Sequence, residues 1–327
     1  MQSLTAGMAP ARTQAAAMRV NALVQIAHEM SRGRSGPERT DNDLRVTLGT
    51  VRDGAYQRAL SFANGDYTLA YEVARGDVDL GSINPSAYLT MAYRGTGPYR
   101  GPLPLRAIAV MPTWDRMFFA VAPSTGLTSL PDIAARKYPL HLSIRRSQAH
   151  GTRFLIDELF ALHGFSLEEL EAWGGRLHYV DAPNDPVRLD AIREGSVDAV
   201  FDEGVKGWGY VALDHGMKLL DLDPRSREHL AMLGWPMGPV RAYFPALQED
   251  ITAISFGGWP LFTRASLPDE VAYRMCQALE SAGERIIWDQ DTPVGLADVA
   301  ENTDAAPRDV PLHPGAERYY KEHGCLQ

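Results

Sequence analysis

The stretch that decides the fold is "LHLSIRRSQAHGTRFLIDEL", which runs from Leu140 to Leu159. It begins with alternating apolar residues, which predict a strand, and ends with apolar residues at helical spacing, which predict a helix. Arg145, Arg146 and a short polar turn containing Gly151 lie between the two. The first amides of a helix lack intrahelical partners, and the helix dipole favours negative charge there. A strand, a cationic turn and a helix start therefore indicate a site for an anion.

The turn itself supplies the candidate ligand-binding groups. Gly151 would let a ligand approach the backbone, Thr152 would donate its hydroxyl, and Arg145 or Arg146 would clamp a carboxylate with two parallel hydrogen bonds. The alternative is that both arginines are solvated and that Thr152 only caps the helix. Ser147-x-x-His150 does not match the Gly-x-Ser-x-Gly elbow of hydrolases, so a nucleophile is not indicated. The candidates at this turn are Arg145, Arg146, Ser147, His150, Gly151 and Thr152.

Strand-like and helix-like segments alternate along the chain, which predicts α/β layers with largely parallel sheets. The predicted strands are 44–50, 78–83, 104–111, 117–123, 140–145, 176–182, 197–204, 217–223 and the strand-rich segment 251–265. The predicted helices are a segment before the turn at 75–76, then 129–140, 152–163, 185–196 and 268–286, followed by an irregular Pro-rich tail. The middle block has a strand–helix set of its own. We therefore predict an N-terminal helix and linker (1–43), a first lobe (44–138 plus 236–327) and a second lobe (139–235).

Further candidates lie where predicted strands end, because open α/β sheets bind ligands outside the carboxyl ends of their strands. Helix capping is the alternative for Ser86, and an ordinary acidic loop with a packed tryptophan is the alternative at 202–208. Two adjacent carboxylates would also suit a metal ion, but the sequence offers no third ligand, so we predict no metal site. These candidates are Thr50, Ser82, Asn84, Ser86, Asp202 and Trp208, together with Trp114 and Arg116 between two strands.

Composition excludes several classes of protein. The formal net charge is −9 and no Lys/Arg run is longer than two, which argues against a nucleic-acid partner. No apolar stretch reaches 18 residues, so no membrane insertion is expected. Cys276 and Cys325 show no metal-ligand spacing, and we expect two free thiols. No catalytic group or cofactor motif is evident.

Three segments carry a resemblance to a known family. They are 105–165, "LRAIAVMPTWDRMFFAVAPSTGLTSLPDIAARKYPLHLSIRRSQAHGTRFLIDELFALHGF", 246–279, "ALQEDITAISFGGWPLFTRASLPDEVAYRMCQAL", and 311–324, "PLHPGAERYYKEHG". Over about 76–324 the chain resembles the solute receptors of the TAXI class of TRAP transporters and, more distantly, NMT1/THI5-type binding proteins. The family's glycine-rich first loop has only a loose counterpart in "GTVRDGAYQRAL" (49–60).

The resemblance implies a two-lobed periplasmic-binding-protein type II fold with a ligand cleft between the lobes. It implies capture of a small organic anion, a carboxylate or an amino acid, without a cofactor. It also implies that Tyr243 lines the cleft, that His313 is structural, and that the partners are membrane components of a TRAP transporter.

The functional hypotheses differ in the cellular compartment that they imply for the protein. Apolar residues at helical spacing between 18 and 30 predict an amphipathic helix rather than a secretory signal. The resemblance implies a periplasmic protein, whereas the chain as it begins is expected in the cytoplasm unless a leader has been removed. A cytoplasmic location would favour an enzyme on the same fold, such as an aromatic-acid decarboxylase, or a ligand sensor.

Overall fold

The computed structural model describes residues 23–24, 26, 44–148, 150–241, 244, 247, 249–286, 288 and 294–326. Leu23, Val24 and Ile26 are helical, and the rest of the predicted N-terminal helix and linker lies outside the described residues, as does Tyr243. Within those ranges we find no helix with the length and apolar content that a bilayer crossing requires.

Helices and strands alternate over most of the described chain. The strands are β1 Arg45–Arg52, β2 Ala55–Asn64, β3 Leu80–Ser82, β4 Leu105–Met111, β5 Arg116–Val121, β6 His141–Arg145, β7 Arg176–Val180, β8 Ala199–Asp202, β9 Lys218–Leu220, β10 Met237–Pro239, β11 Thr252–Ser255 and β12 Trp259–Arg264. The helices are α1 Leu69–Arg75, α2 Ser86–Arg94, α3 Leu130–Arg136, α4 Gly151–Leu162, α5 Leu167–Ala172, α6 Pro186–Glu194, α7 Val205–Asp214, α8 Pro224–Leu233, α9 Asp269–Ala282, α10 Leu296–Ala300 and α11 Pro314–Glu322.

The strands form two sheets, and the predicted two-lobed α/β fold is confirmed. The first sheet has the order β1-β2-β3-β12-β4, and the second has the order β10-β11-β5-β8-β6-β7, with β9 beside β5. The chain crosses from the first sheet to the second at 112–115 and returns at 256–258. Strands β5, β10 and β11 belong to the second sheet, although the sequence placed 116–138 and 236–255 in the first lobe.

The prediction of largely parallel sheets is wrong. Among the described strands the parallel pairs are β2–β3, β6–β7 and β6–β8, and the other pairs are antiparallel. Strands β5 and β12 follow directly after the two crossings, and each is antiparallel to both of its main neighbours. The two lobes are therefore mixed sheets joined by two adjacent crossings.

The predicted strand at 44–50 is confirmed as β1, but β2 was not predicted. The two strands form an antiparallel hairpin with Arg52 opposite Ala55. Its turn is Asp53-Gly54, with φ of 50° and 77°, as a tight hairpin turn with two positive φ angles requires. The loose counterpart of the glycine-rich first loop is therefore a hairpin in this chain.

The predicted helices before 75–76 and at 129–140, 152–163, 185–196 and 268–286 are confirmed as α1, α3, α4, α6 and α9. The irregular tail is a wrong prediction, because α11 forms there and packs against α9. His313 has the structural role expected of it: its Nδ1 accepts the Gly315 N–H at 3.2 Å and caps α11. The two cysteines are free thiols, as predicted.

Candidate functional site

Two adjacent arginines at the end of β6 face different surroundings. Alternation along the strand turns Arg145 inward, where 8% of the residue is exposed, and turns Arg146 outward. Arg145 Nε donates to Asp202 Oδ2 at 2.9 Å and Nη1 to the Asp181 carbonyl at 3.0 Å. Arg146 Nε lies 3.1 Å from Asp181 Oδ1 in a pair whose side chains are both more than half exposed. Arg145 is therefore the inward-facing guanidinium.

The start of α4 follows the turn, and His150 caps it. His150 Nδ1 accepts the Thr152 N–H at 3.3 Å, while Thr152 is fully buried inside the first turn. The alternative that Thr152 is the cap is therefore wrong. Burial and the nearby Arg145 lower the pKa of His150, which keeps its ring neutral and able to accept. Ser147 is exposed beside this cap.

Gly151 is the point at which the second lobe meets the first. A Cβ at Gly151 would lie 3.1 Å from the hydroxyl oxygen of Tyr88 on α2. Helix α4 packs on β6 and β8, whereas α2 packs on β12 and β4. Tyr88 also packs edge-on against Trp235, with ring centroids 5.5 Å apart. The predicted anion turn therefore lies between the two sheets.

Charged side chains gather behind the turn in what we call the arginine–carboxylate cluster, defined as Asp115, Arg145, Arg188, Asp202 and Glu203. Asp202 is fully buried and accepts from both Arg145 and Arg188. Arg145 also contacts the Glu203 carboxyl through Nη2. Two buried guanidinium groups thus share the Asp202 carboxylate, and a buried charge is tolerated only when it is paired in this way.

Glu203 and Asp115 hold a proton at one side of this cluster. Their carboxyl groups are hydrogen-bonded to each other, and Asp115 also accepts the Gly204 N–H at 3.0 Å. Burial, with the neighbouring Asp115 charge as the next cause, raises the pKa of Glu203 to about 8. Burial also raises the pKa of Asp115. Two carboxyls in contact cannot readily both ionise, so Glu203 is mainly protonated at neutral pH.

Arg188 holds the other side of the cluster. It is fully buried on α6, donating from Nε to Ser143 Oγ at 3.0 Å and from Nη1 to the Pro183 carbonyl at 3.1 Å. Its Nη2 is buried and has no hydrogen-bond partner among the described residues. The guanidinium also lies 5.9 Å from the ring of Trp208, a predicted site residue that is itself fully buried. Trp208 therefore packs beside the arginine–carboxylate cluster as a buried structural residue.

Other predicted residues lie outside this cluster. Arg116 is fully buried, donates from Nη2 to Asp304 Oδ1 at 2.7 Å, and stacks over the Trp114 ring at 4.8 Å. Ser86 Oγ donates to the Gly257 carbonyl at 3.2 Å beside the second crossing. The remaining placements are Thr50 on β1 opposite Gln57, Ser82 half-buried at the end of β3, and Asn84 exposed after it.

The sequence did not single out Asp115, Arg188 or Tyr88, and it favoured an ordinary acidic loop for Glu203. Asp115 was visible only as the residue between Trp114 and Arg116. Arg188 gave no signal, because an arginine in an amphipathic helix is normally solvated. The described residues include no group of three or more His, Cys, Asp or Glu side chains placed to hold a metal ion.

Two sheets joined by paired crossings, with polar groups gathered where they meet, define a two-lobed α/β protein of the binding-protein type. The chain belongs to the NMT1-like family, whose model matches residues 64–324. The NMT1-type resemblance predicted from the sequence is therefore confirmed.

Solved structures of solute-binding proteins are similar at a distance. The alkanesulfonate-binding protein SsuA from Xanthomonas axonopodis pv. citri, bound to MOPS, is 14% identical over 68% of this chain and 63% of that one, with a TM-score of 0.28. ProX of Borrelia burgdorferi, a glycine betaine/L-proline-binding protein, is 14% identical over 60% of each chain, with a TM-score of 0.34. Lactococcal OpuAC, complexed with glycine betaine, is 14% identical over 80% of this chain and 83% of that one, with a TM-score of 0.37. The matches span about three fifths of the length of SsuA and ProX, and such distant likenesses define no ligand.

Proposed function

We propose that this protein is a solute-binding protein that holds a small organic anion between its two lobes. The observation that carries the proposal is the sharing of the Asp202 carboxylate by the buried guanidinium groups of Arg145 and Arg188. The second carboxyl in contact with Arg145, that of Glu203, is mainly protonated at neutral pH. Arg145 therefore shares its nearest carboxylate, that of Asp202, with Arg188, and the carboxylate of a ligand would give it a second anionic partner.

The position of Arg145 supports this assignment. It stands at the carboxyl end of β6, one turn before the start of α4, and that helix start lies against Tyr88 of the other lobe. The Gly151 amide at the start of α4 and the Arg145 guanidinium would bind the same anionic group. Lobes that part at the two crossings would admit the solute and close over it, as hinged binding proteins do.

The TAXI-like segments 105–165 and 311–324 extend the proposal. On their strength we assign the protein to the receptors of TRAP-type transporters, with the membrane components of such a transporter as its partner. In this role it captures a carboxylate or an amino acid and performs no chemistry on it.

A thermal-shift screen tests the binding proposal. The panel pairs each small carboxylate with its neutral amide, because a ligand that binds only the folded protein stabilises it by about 2.7 kcal/mol at 100 times its Kd. We expect at least one carboxylate to raise the melting temperature while its amide does not. Equal shifts with acid and amide, or no shift across dicarboxylates, aromatic acids and amino acids, would contradict the proposal.

The Asp115–Glu203 pair favours a second candidate function, an enzyme on the same fold. A buried carboxyl that keeps its proton at neutral pH is the arrangement that general-acid catalysis uses, and protonation of a carbanion after loss of CO₂ from an aromatic acid is one such step. Incubating each stabilising carboxylate with the protein and following it by NMR separates the two functions. Unchanged ligand supports the receptor, and conversion that is lost in Glu203→Gln supports the enzyme.

A further inference from the structure

A groove lies on the face of α2 opposite Tyr88. Ser86, Thr90 and Arg94 are spaced four residues apart, so they share one face of this helix, and all three line the groove. Its volume is about 270 Å³. The opposite wall is formed by the end of α8 with Trp235, and the floor by the segment 302–309.

Both lobes build this groove. Thr90 and Arg94 belong to α2, which packs on the first sheet, whereas α8 contacts α4 of the second lobe through His229 Nε2 and Glu158 Oε2 at 2.8 Å. The two walls are tied together because Thr96 Oγ1 donates to the Leu233 carbonyl at 2.6 Å. A molecule in the groove would therefore touch both lobes at once.

Arg308 supplies a guanidinium without a carboxylate partner. Its Nη1 and Nη2 donate to the backbone carbonyls of Val310 and Ala300 at 3.3 and 3.2 Å. Among the described residues, no ion pair is formed by Arg308, and its buried Nε has no hydrogen-bond partner. Burial lowers the pKa of Arg308, and the interactions with Tyr320 and Glu317 offset this effect only in part.

The other polar groups of the groove are suited to the same kind of ligand. Arg94 Nε is paired with Asp309 Oδ2 at 2.7 Å, so these two charges cancel and the charge of Arg308 is left over. The Asn302 side-chain oxygen accepts the main-chain N–H of Arg308 at 2.8 Å, which leaves the Asn302 NH₂ group as a donor. The Thr90 hydroxyl is a further hydrogen-bond donor, so donors predominate among the polar groups that line the groove.

We propose that the groove formed by Thr90, Arg94, Trp235, Asn302 and Arg308 is a second binding site, which takes a small oxyanion, a carboxylate or a phosphate. This site is separate from the arginine–carboxylate cluster and does not depend on the function proposed for that cluster. Because its walls come from both lobes, its occupant stabilises them in contact.

Calorimetric titration with succinate and with inorganic phosphate, in separate arms, tests the site. The titrations use the full chain carrying Arg145→Lys, so that the arginine–carboxylate cluster is impaired in every sample. We expect one of the two anions to bind with a stoichiometry of one, and Arg308→Gln to weaken that binding at least tenfold. The arm that responds identifies the anion class.

Two further variants sharpen the result. Ala231 lies exposed at the rim of the groove, so Ala231→Trp should block it and abolish binding without removing any buried hydrogen bond. Arg176→Gln makes the same change of charge at an exposed position on β7 and should leave the affinity within twofold. If Arg308→Gln fails to fold, Ala231→Trp decides. Failure of both anions to bind, or binding that survives Ala231→Trp, would overturn the proposal.

Discussion

Arg145 and Arg146 are neighbours in the sequence, yet one guanidinium is buried against Asp202 and the other is paired with Asp181 in solvent. The inward side chain is 10% exposed and the outward one 62%. Because successive side chains along a strand point to opposite faces of the sheet, the two guanidinium groups lie on opposite faces at the end of β6. The same substitution at these two positions therefore provides a matched pair of variants for testing what the buried charge contributes to stability.

Replacing Arg145 by methionine should lower the free energy of unfolding by about 3–5 kcal/mol, because it leaves the buried Asp202 with one guanidinium fewer. Arg146→Met should change that free energy by no more than about 1 kcal/mol, because its ion pair is solvent-exposed. Urea unfolding of the two variants measures both values. Equal effects would contradict the burial of Arg145.

The proton held by Glu203 should make stability depend on pH. Its folded pKa of about 8 lies above its ordinary value of 4.5, so between these values the folded protein binds more protons than the unfolded chain. The contribution of this group to stability is therefore fully present below about pH 4.5 and is lost as the pH rises through about 8. The wild type should lose stability relative to Glu203→Gln between pH 5 and pH 8.

Chemical denaturation of both proteins at pH 5, 6.5 and 8 checks this slope. Glu171→Gln, at an exposed position on α5, is the control and should show a difference from the wild type that does not vary in this range. A difference between the wild type and Glu203→Gln that stays constant with pH would argue against a raised pKa.

The contact between Gly151 and Tyr88 should be sensitive to a single methyl group. A Cβ at 151 would lie 3.1 and 3.2 Å from two Tyr88 atoms, and that ring is held between Tyr67 and Trp235 at centroid distances of 5.8 and 5.5 Å. Gly151→Ala should therefore destabilise the protein by about 1–3 kcal/mol, as overpacking does. The melting temperature and urea midpoint report the loss.

Gly101→Ala is the control for this substitution, since a Cβ there has nothing within 4 Å. It should leave stability unchanged or slightly raised, because alanine restricts the unfolded chain. A Gly151→Ala variant as stable as Gly101→Ala would mean that α2 and α4 are not in contact in solution.

Much of the fold could be predicted from the sequence, because apolar periodicity and helix-start residues are local signals. Periodicity located β6 and α4, and the Pro-containing first turn located α3. Strand β2 was not predicted although Asp53-Gly54 signals a hairpin, because the segment 49–60 was interpreted as the counterpart of the family's glycine-rich loop. Helix α11 was missed because proline and glycine at its start read as an irregular tail, whereas Pro314 is in fact at the first helical position.

The candidate site was less accessible to sequence analysis, since it is assembled from distant segments. Arg145 and Asp202 were both chosen as strand-end residues, but their contact depends on β6 and β8 being neighbours in the sheet. Asp115 reaches the cluster from the first crossing and Arg188 from α6. Those positions follow from tertiary packing, which no local pattern encodes.

The central claim is that a carboxylate binds at Arg145, and the most direct measurement is calorimetric titration of a carboxylate found in the thermal-shift screen. We predict that Arg145→Lys, which keeps the charge but loses the planar fork, weakens binding at least tenfold, and that Arg146→Lys leaves it within twofold. Binding that is unaffected by Arg145→Lys, or weakened equally by both substitutions, would contradict the account.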